Sequence, residues 1–290
     1  MGYFYLILQA FIFSFGGLMI KAAGGMFSPF LISGLRFAIG VAILLIILKV
    51  RSGHFRLPMA SRILLAGGVC KALHYLPENF GIMRGFSYGG ILVWPVQTVV
   101  ILVFSALFRR ERFSARMLAG TALCVSGIGV VSWNGASPQI FLTTQAVTLL
   151  AFVLAGIGAA GFSISQKKLV DKMDIVELNT SMFLYGLITV CIVLIPTGPH
   201  LSGRFTWAGL ISMIALGAIT CFGFLLQAAA VKTVPLLSAT IIQSSSVILN
   251  IVWGVLLYGD PLTTYVIAGS AMFLTGIVMV NLPAKAGGTK

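Results

Sequence analysis

Three ionisable residues, Lys71, His74 and Glu78, stand at spacings of three and four within a long apolar run. On an α-helix such spacings place all three on one face. An ammonium, an imidazole and a carboxylate in a row can hold a charged solute, pass a proton, or neutralise one another. Seven residues at a rise of 1.5 Å separate Lys71 from Glu78 by about 10 Å along the axis, a span that suits the two ends of a zwitterion. His74 lies between them and is the natural proton acceptor, because an imidazole titrates near physiological pH. His74 and Glu78 are therefore the candidate proton-coupling pair. A charge at the centre of a membrane helix costs roughly 2.5–3.5 kcal/mol even on the lenient insertion scale. Such a cluster either faces a wet cavity and handles a substrate, or it is a structural network in which Lys71 or His74 neutralises Glu78 and fixes helix packing. The two readings are compatible.

Further polar groups fall inside apolar runs. Asn79 and Gln227 lie at corresponding depths, and Trp94, Gln97, Gln243 and Ser246 form a second set. They can bond a substrate, or bond across helices for about 0.6–2 kcal/mol each. Trp94 is either packing or a cation-π face. Pro95 is expected to break a mid-helix bond and give a kink or gate. Arg36, two turns into its run, is expected to be structural, reaching toward the interface or binding a carbonyl.

The composition says which elements must carry these groups. Of 290 residues, 59% are apolar and 9% charged, against roughly 25% charged in a soluble domain. The net charge of +13 does not point to nucleic acid, because the basic residues cluster in short connectors and not along one face. Cys70, Cys124, Cys191 and Cys221 each sit alone in a different apolar run, which points away from a disulfide or a metal site. The first run follows no basic segment and precedes no small-residue cleavage site, so it is expected to be a retained helix.

Ten runs are long enough to span a bilayer, at about 20 residues each. They cover residues 3–22, 29–50, 62–83, 87–108 and 114–132, then 144–166, 176–196, 206–231, 236–258 and 262–282. With the N-terminus inside, one side holds Lys49, Arg51, Arg56, Arg62, Arg109, Arg110, Arg112, Arg116, Lys167, Lys168, Lys172, Lys232, Lys285 and Lys290. The other side holds Lys21, Arg84 and Arg204. Fourteen against three places both termini in the cytoplasm under the positive-inside rule.

The chain also repeats itself. At a shift of 149 residues, Ala119, Gly120, Ala122, Gly127, Ile128 and Val131 meet Ala268, Gly269, Ala271, Gly276, Ile277 and Val280. Glu111 meets Asp260 and Ser114 meets Thr263 in the same register. Near the first runs of each half the shift is 147, pairing Phe15 with Phe162 and Lys21 with Lys168. Five spans per unit is odd, so the second copy enters the bilayer from the opposite face. The expectation is an all-α integral membrane protein of ten helices, with residues 1–135 and 136–290 as inverted five-helix repeats and a substrate site at their interface.

Ser28-Pro29 with Arg36, Glu111-Arg112-Phe113-Ser114 leading to Gly120 and Gly127, and Asp260-Pro261-Leu262-Thr263 leading to Gly269 and Gly276 occur in this order. In these features the chain resembles the EamA-type members of the drug/metabolite transporter superfamily, over almost its whole length. The resemblance implies a ten-helix basket with a central cavity lined by the first four helices of each half, and movement of amino acids, nucleosides, drugs or amines, many outward, without ATP. The charged stretch at Lys71, His74 and Glu78 departs from the mostly apolar or aromatic pattern of such proteins; its counterparts at the 149 shift are Thr220, Gly223 and Gln227. That departure favours a charged or zwitterionic cargo.

The leading expectation is a secondary transporter, exporting a small polar, zwitterionic or charged metabolite such as an amino acid across the inner membrane by alternating access. The competing readings are proton-coupled movement of a cationic amine or drug, and a membrane scaffold that transports nothing. Its expected partners are a small-molecule substrate and the lipid bilayer, with no nucleic acid. The six acidic residues, most of them in loops, form no nucleophile–base or paired-carboxylate constellation, so no enzyme, catalytic residue or cofactor is expected.

Overall fold

The computed structural model describes residues 1–52, 61–85, 90, 92–109, 114–140, 145–201, 203–244 and 246–281. Arg56, Arg110, Glu111, Arg112, Phe113, Lys285 and Lys290 lie outside the described residues.

The apolar runs form helices α1 (Gly2–Phe13), α2 (Gly16–Gly24), α3 (Pro29–Ser52), α4 (Arg62–Arg84), α5 (Val93–Arg109) and α6 (Ala115–Trp133). A three-residue turn, α7 (Pro138–Ile140), precedes α8 (Ala146–Leu169), α9 (Ile175–Thr197), α10 (Trp207–Thr233), α11 (Leu236–Ser244), α12 (Ser246–Tyr258) and α13 (Thr264–Asn281). The only β-feature among the described residues is an isolated bridge between Phe27 and Leu201. Five stretches are long and apolar enough to cross a membrane: Gly2–Gly24, Pro29–Arg51, Ala146–Leu169, Ile175–Thr197 and Trp207–Thr233. Shorter apolar helices fall within four of the remaining expected runs. With 23 residues, α4 has the length to cross, but its polar cluster lowers its hydropathy. Phe4, Ile46, Leu107, Ile195, Ile211 and Leu256 all stand exposed on the outside, a belt that suits lipid and not water.

Side-chain caps set several helix starts. Ser114 accepts from the Met117 amide at 3.2 Å, Thr206 from that of Gly209 at 3.1 Å, and Asp174 from that of Val176 at 2.8 Å, each satisfying an orphan first-turn donor. A turn at Ser14–Phe15 separates α1 from α2.

Packing runs mainly between the two sequence halves. α4 lies against α8 and α9, while α10 lies against α1, α2 and α3. The pair α6 and α13 is joined at backbone distance: a Cβ on Gly127 would meet the Gly269 carbonyl oxygen at 2.5 Å, and one on Gly276 would meet that of Gly120 at 2.5 Å. Shifting the first contact by 149 residues produces the second. Between them the Cys124 thiol donates to the Phe273 carbonyl at 3.6 Å, and these two residues are each other's counterparts at that shift. Small residues allow such approach where no hydrophobic force drives helices together in lipid.

Candidate functional site

α3 and α4 bring Arg36 to the polar face of α4. Arg36 Nη1 donates to Glu78 Oε2 at 3.2 Å and to Asn79 Oδ1 at 3.0 Å. Its Nε donates to Thr220 Oγ1 of α10 at 3.2 Å, and the guanidinium carbon lies 3.6 Å from the centroid of the Tyr75 ring. Asn79 in turn donates to Ser33 Oγ at 2.8 Å, and Tyr75 donates its hydroxyl hydrogen to Thr220 at 3.4 Å. The expectation that Arg36 reaches toward the interface is therefore corrected: it is 5% exposed and points inward, because Glu78 and Asn79 offer acceptors that lipid does not.

The cluster on α4 stays together. Lys71 Nζ is 2.9 Å from His74 Nδ1, and His74 Nε2 is 3.6 Å from Glu78 Oε1. That second distance is an ion-pair separation and too long for a hydrogen bond, so His74 Nε2 is a buried polar atom with no hydrogen-bond partner. Lys71 is fully buried. Its ammonium lies 3.4 Å from the Phe224 ring centroid, 4.3 Å from that of Tyr75 and 4.7 Å from that of Phe162. Cation-π attraction of up to about 2 kcal/mol per desolvated ring offsets part of its dehydration.

Glu78, His74, Arg36 and Tyr75 face an open pocket of about 40 Å³, whose other walls include Phe13, Gly16, Ile20, Trp94, Phe224 and Asn250. Trp94 stacks on Phe13 at 6.3 Å and 22° and meets His74 edge-on at 6.5 Å. Lys71 does not reach this pocket. It lines a smaller crevice, too tight for a water molecule, with Gln97, Ser163 and Gln227, and His74, Trp94 and Phe224 form the partition between the two. The ends of a zwitterion therefore do not bridge Lys71 and Glu78 in this conformation; Arg36 and Glu78 are the charged pair that the open pocket presents.

Below the partition an amide lattice crosses the bundle. Gln97 and Gln227 both donate to Ser163 Oγ at 3.0 Å. Gln9 donates to Gln227 Oε1 at 3.1 Å, and Gln243 donates to Gln9 Oε1 at 2.9 Å. The lattice is buried, and beyond it, toward the end where Gly2 meets Thr233, lies a core containing Leu6, Leu64, Leu169, Val176 and Val231. The large pocket is lined by Phe13, Gly16, Gly17 and Ile20, further along the chain from that end.

The EamA-like transporter family model matches residues 1–133 and 146–282. The chain belongs to the EamA-like transporter family. It is also 25% identical over 280 residues to an uncharacterized transporter of Archaeoglobus fulgidus, covering 94% of this chain and 97% of that one. A solved crystal structure with 17% identity superposes with a TM-score of 0.74 over 98% of this chain and 99% of the other, a likeness of fold alone. This EamA-like chain is thus a multi-pass membrane transporter by family and by its apolar helices.

The remaining expected residues of this EamA-like transporter fall in two places. Asn79 braces Arg36 from behind, whereas Gln97, Gln227 and Gln243 belong to the lattice. Ser246 is fully buried, and its hydroxyl has no hydrogen-bond partner. Pro95 is a correction. It lies in the first turn of α5, which starts at Val93, and first-turn amides have no intrahelical partner to lose, so it produces no mid-helix break there. The proline inside a helix at the site is Pro77 of α4, between His74 and Glu78. Its missing N–H frees the Leu73 carbonyl within the cluster itself. Gln9, Ser33, Tyr75, Thr220 and Pro77 are the site residues that sequence reasoning missed. For Gln9 a signal existed, a lone amide in an apolar run, identical in kind to the one that marked Gln97.

Proposed function

We propose that this chain is a secondary transporter that moves a small zwitterionic or charged metabolite, such as an amino acid, by alternating access. The observation that carries the reading is the Arg36–Glu78 pair opening onto a pocket of about 40 Å³ among apolar helices. An ionised pair at such depth is expensive, and a pocket that wets it on one side gives it a role as a receptor for complementary charges.

Ten crossings with inverted halves fit the helices, the mutual α6–α13 glycine contacts and the two matched segments of the family model. In that arrangement the site lies between the repeats. Both termini are placed in the cytoplasm by the lysine and arginine bias of the connectors. On that reading the end where Gly2 meets Thr233 is the cytoplasmic one, and the pocket lined further along the chain makes this the outward-facing conformation of an inner-membrane carrier. Export is the direction that the family resemblance favours.

The test is a thermal-stability screen of purified protein with amino acids, amines and nucleosides, followed by counterflow of each stabilising compound in proteoliposomes. The reading predicts saturable counterflow that Arg36→Lys and Glu78→Gln alter. Absence of saturable flux for all three classes overturns it. A second reading, proton coupling through His74 and Glu78, is favoured by the Lys71–His74–Glu78 chain of contacts. Under that reading a pH gradient alone drives uphill accumulation.

A further inference from the structure

We propose that Glu78 is a built-in stand-in for a cargo carboxylate on Arg36, and that Lys71 supplies, through His74, the proton that detaches it. The inference rests on the transport reading above and names its cargo class: a small carboxylate with an apolar body.

The first argument is the fixing of Arg36. Thr220 holds its Nε, Asn79 shares Nη1, and the Tyr75 ring covers its face. The guanidinium therefore keeps its direction whether or not Glu78 is on it. A planar fork held in place and facing a pocket is the preferred receptor for a carboxylate. Glu78, placed on it by the same helix that carries the relay, occupies that receptor.

The second argument is hydrogen-bond logic. With Lys71 as an ammonium, which only donates, the 2.9 Å contact takes His74 Nδ1 as the accepting nitrogen and puts the ring proton on Nε2. That atom is buried, has no hydrogen-bond partner and lies 3.6 Å from Glu78 Oε1, in a residue that lines the pocket. In the step, the Nζ–H bond of Lys71 breaks as Nδ1–H forms, and the Nε2–H bond breaks as a Glu78 Oε1–H bond forms. The products are a neutral amine, the other neutral imidazole tautomer and a neutral carboxylic acid. Rotation of the Glu78 carboxyl away from Arg36 closes the 3.6 Å gap to hydrogen-bond distance.

Charge counting selects the cargo. The ionisable groups facing the relay are Arg36 from α3 and Lys71, His74, Tyr75 and Glu78 from α4; the other helices bring no further ionisable side chain among the described residues lining either cavity. With His74 neutral, Arg36, Lys71 and Glu78 sum to one positive charge, before and after the proton moves. A carboxylate cancels that charge in a low-dielectric site, whereas an ammonium adds to it. Phe13, Ile20, Ile82 and Trp94 supply the apolar wall for the rest of the molecule.

The experiment uses the full chain in nanodiscs, with benzoate as the carboxylate probe and benzylammonium as the cationic control. Glu78→Gln, a permanently neutral isostere, is expected to bind benzoate roughly tenfold more tightly than the native chain and to gain nothing for benzylammonium. Lys71→Met removes the proton source and weakens benzoate by roughly tenfold, and adding Glu78→Gln to it restores binding, which a merely structural lysine does not predict. Arg36→Lys lowers benzoate affinity in every background. In the native chain, the benzoate-induced infrared difference spectrum gains a protonated-carboxyl band that Glu78→Gln lacks, a readout that needs no altered chain to fold beyond that control. The proposal is overturned if Glu78→Gln fails to gain benzoate affinity, if the double substitution binds no better than Lys71→Met, if no such band appears, or if neither the native chain nor Glu78→Gln binds benzoate. Saturable counterflow of another cargo alongside any of these results leaves the transport reading standing.

Discussion

Arg36 and Glu78, 42 residues apart in sequence, lie 3.2 Å apart with side chains 6% and 13% exposed. Removing the guanidinium leaves Glu78 unpaired in a pocket wall where its side chain is 13% exposed, a loss of up to about 3–5 kcal/mol for buried pairs. Arg36→Met is therefore expected to lower thermal stability much more than Glu78→Gln does. A double-mutant cycle is expected to show coupling of about 0.5–3 kcal/mol. Additive losses in detergent-solubilised protein would show that the pair does not interact.

Gln9 joins two partners, donating to Gln227 and accepting from Gln243. Gln9→Leu orphans one acceptor and one donor, each at a cost of about 1–3 kcal/mol. Gln243→Leu breaks only one of these bonds and is expected to cost less. Comparing the two melting temperatures checks the order, and equal losses would count against the lattice.

Pro77 interrupts α4 between His74 and Glu78. Pro77→Ala restores the bond to the Leu73 carbonyl and is expected to stabilise the chain by up to about 3 kcal/mol. The added bond also tightens α4 between His74 and Glu78 at the site, so flux is expected to fall while the melting temperature rises. Faster flux with lower stability would contradict this.

A methyl group on Gly127 strikes the Gly269 carbonyl at 2.5 Å, whereas one on Gly129 meets nothing within 4 Å. Gly127→Ala is expected to cost about 1–3 kcal/mol as overpacking, and Gly129→Ala to be neutral or stabilising by helix propensity. Melting temperatures of the two proteins decide it.

Local pattern made part of this legible. The spacing of Lys71, His74 and Glu78 fixes their shared face, and the apolar runs mark where the helices lie. Arg36 was visible as an anomaly, but its partner was not. Periodicity within a helix says nothing about which neighbour lies opposite, and Thr220 is 184 residues away. Pro95 misled because the start of α5 depends on where the preceding connector ends, which apolar composition does not mark. Pro77 was overlooked beside more conspicuous charges.

The contact of Cys124 with Phe273 has a mechanical consequence. When two inverted halves trade shapes, every contact is carried to its counterpart elsewhere, except one between residues that are counterparts of each other. That contact is carried onto itself. In the proposed alternating-access exchange the crossing of α6 and α13 would be the fulcrum, and a pair of labels at positions 124 and 273 is expected to report one unchanged separation while the ends of the bundle open and shut in turn.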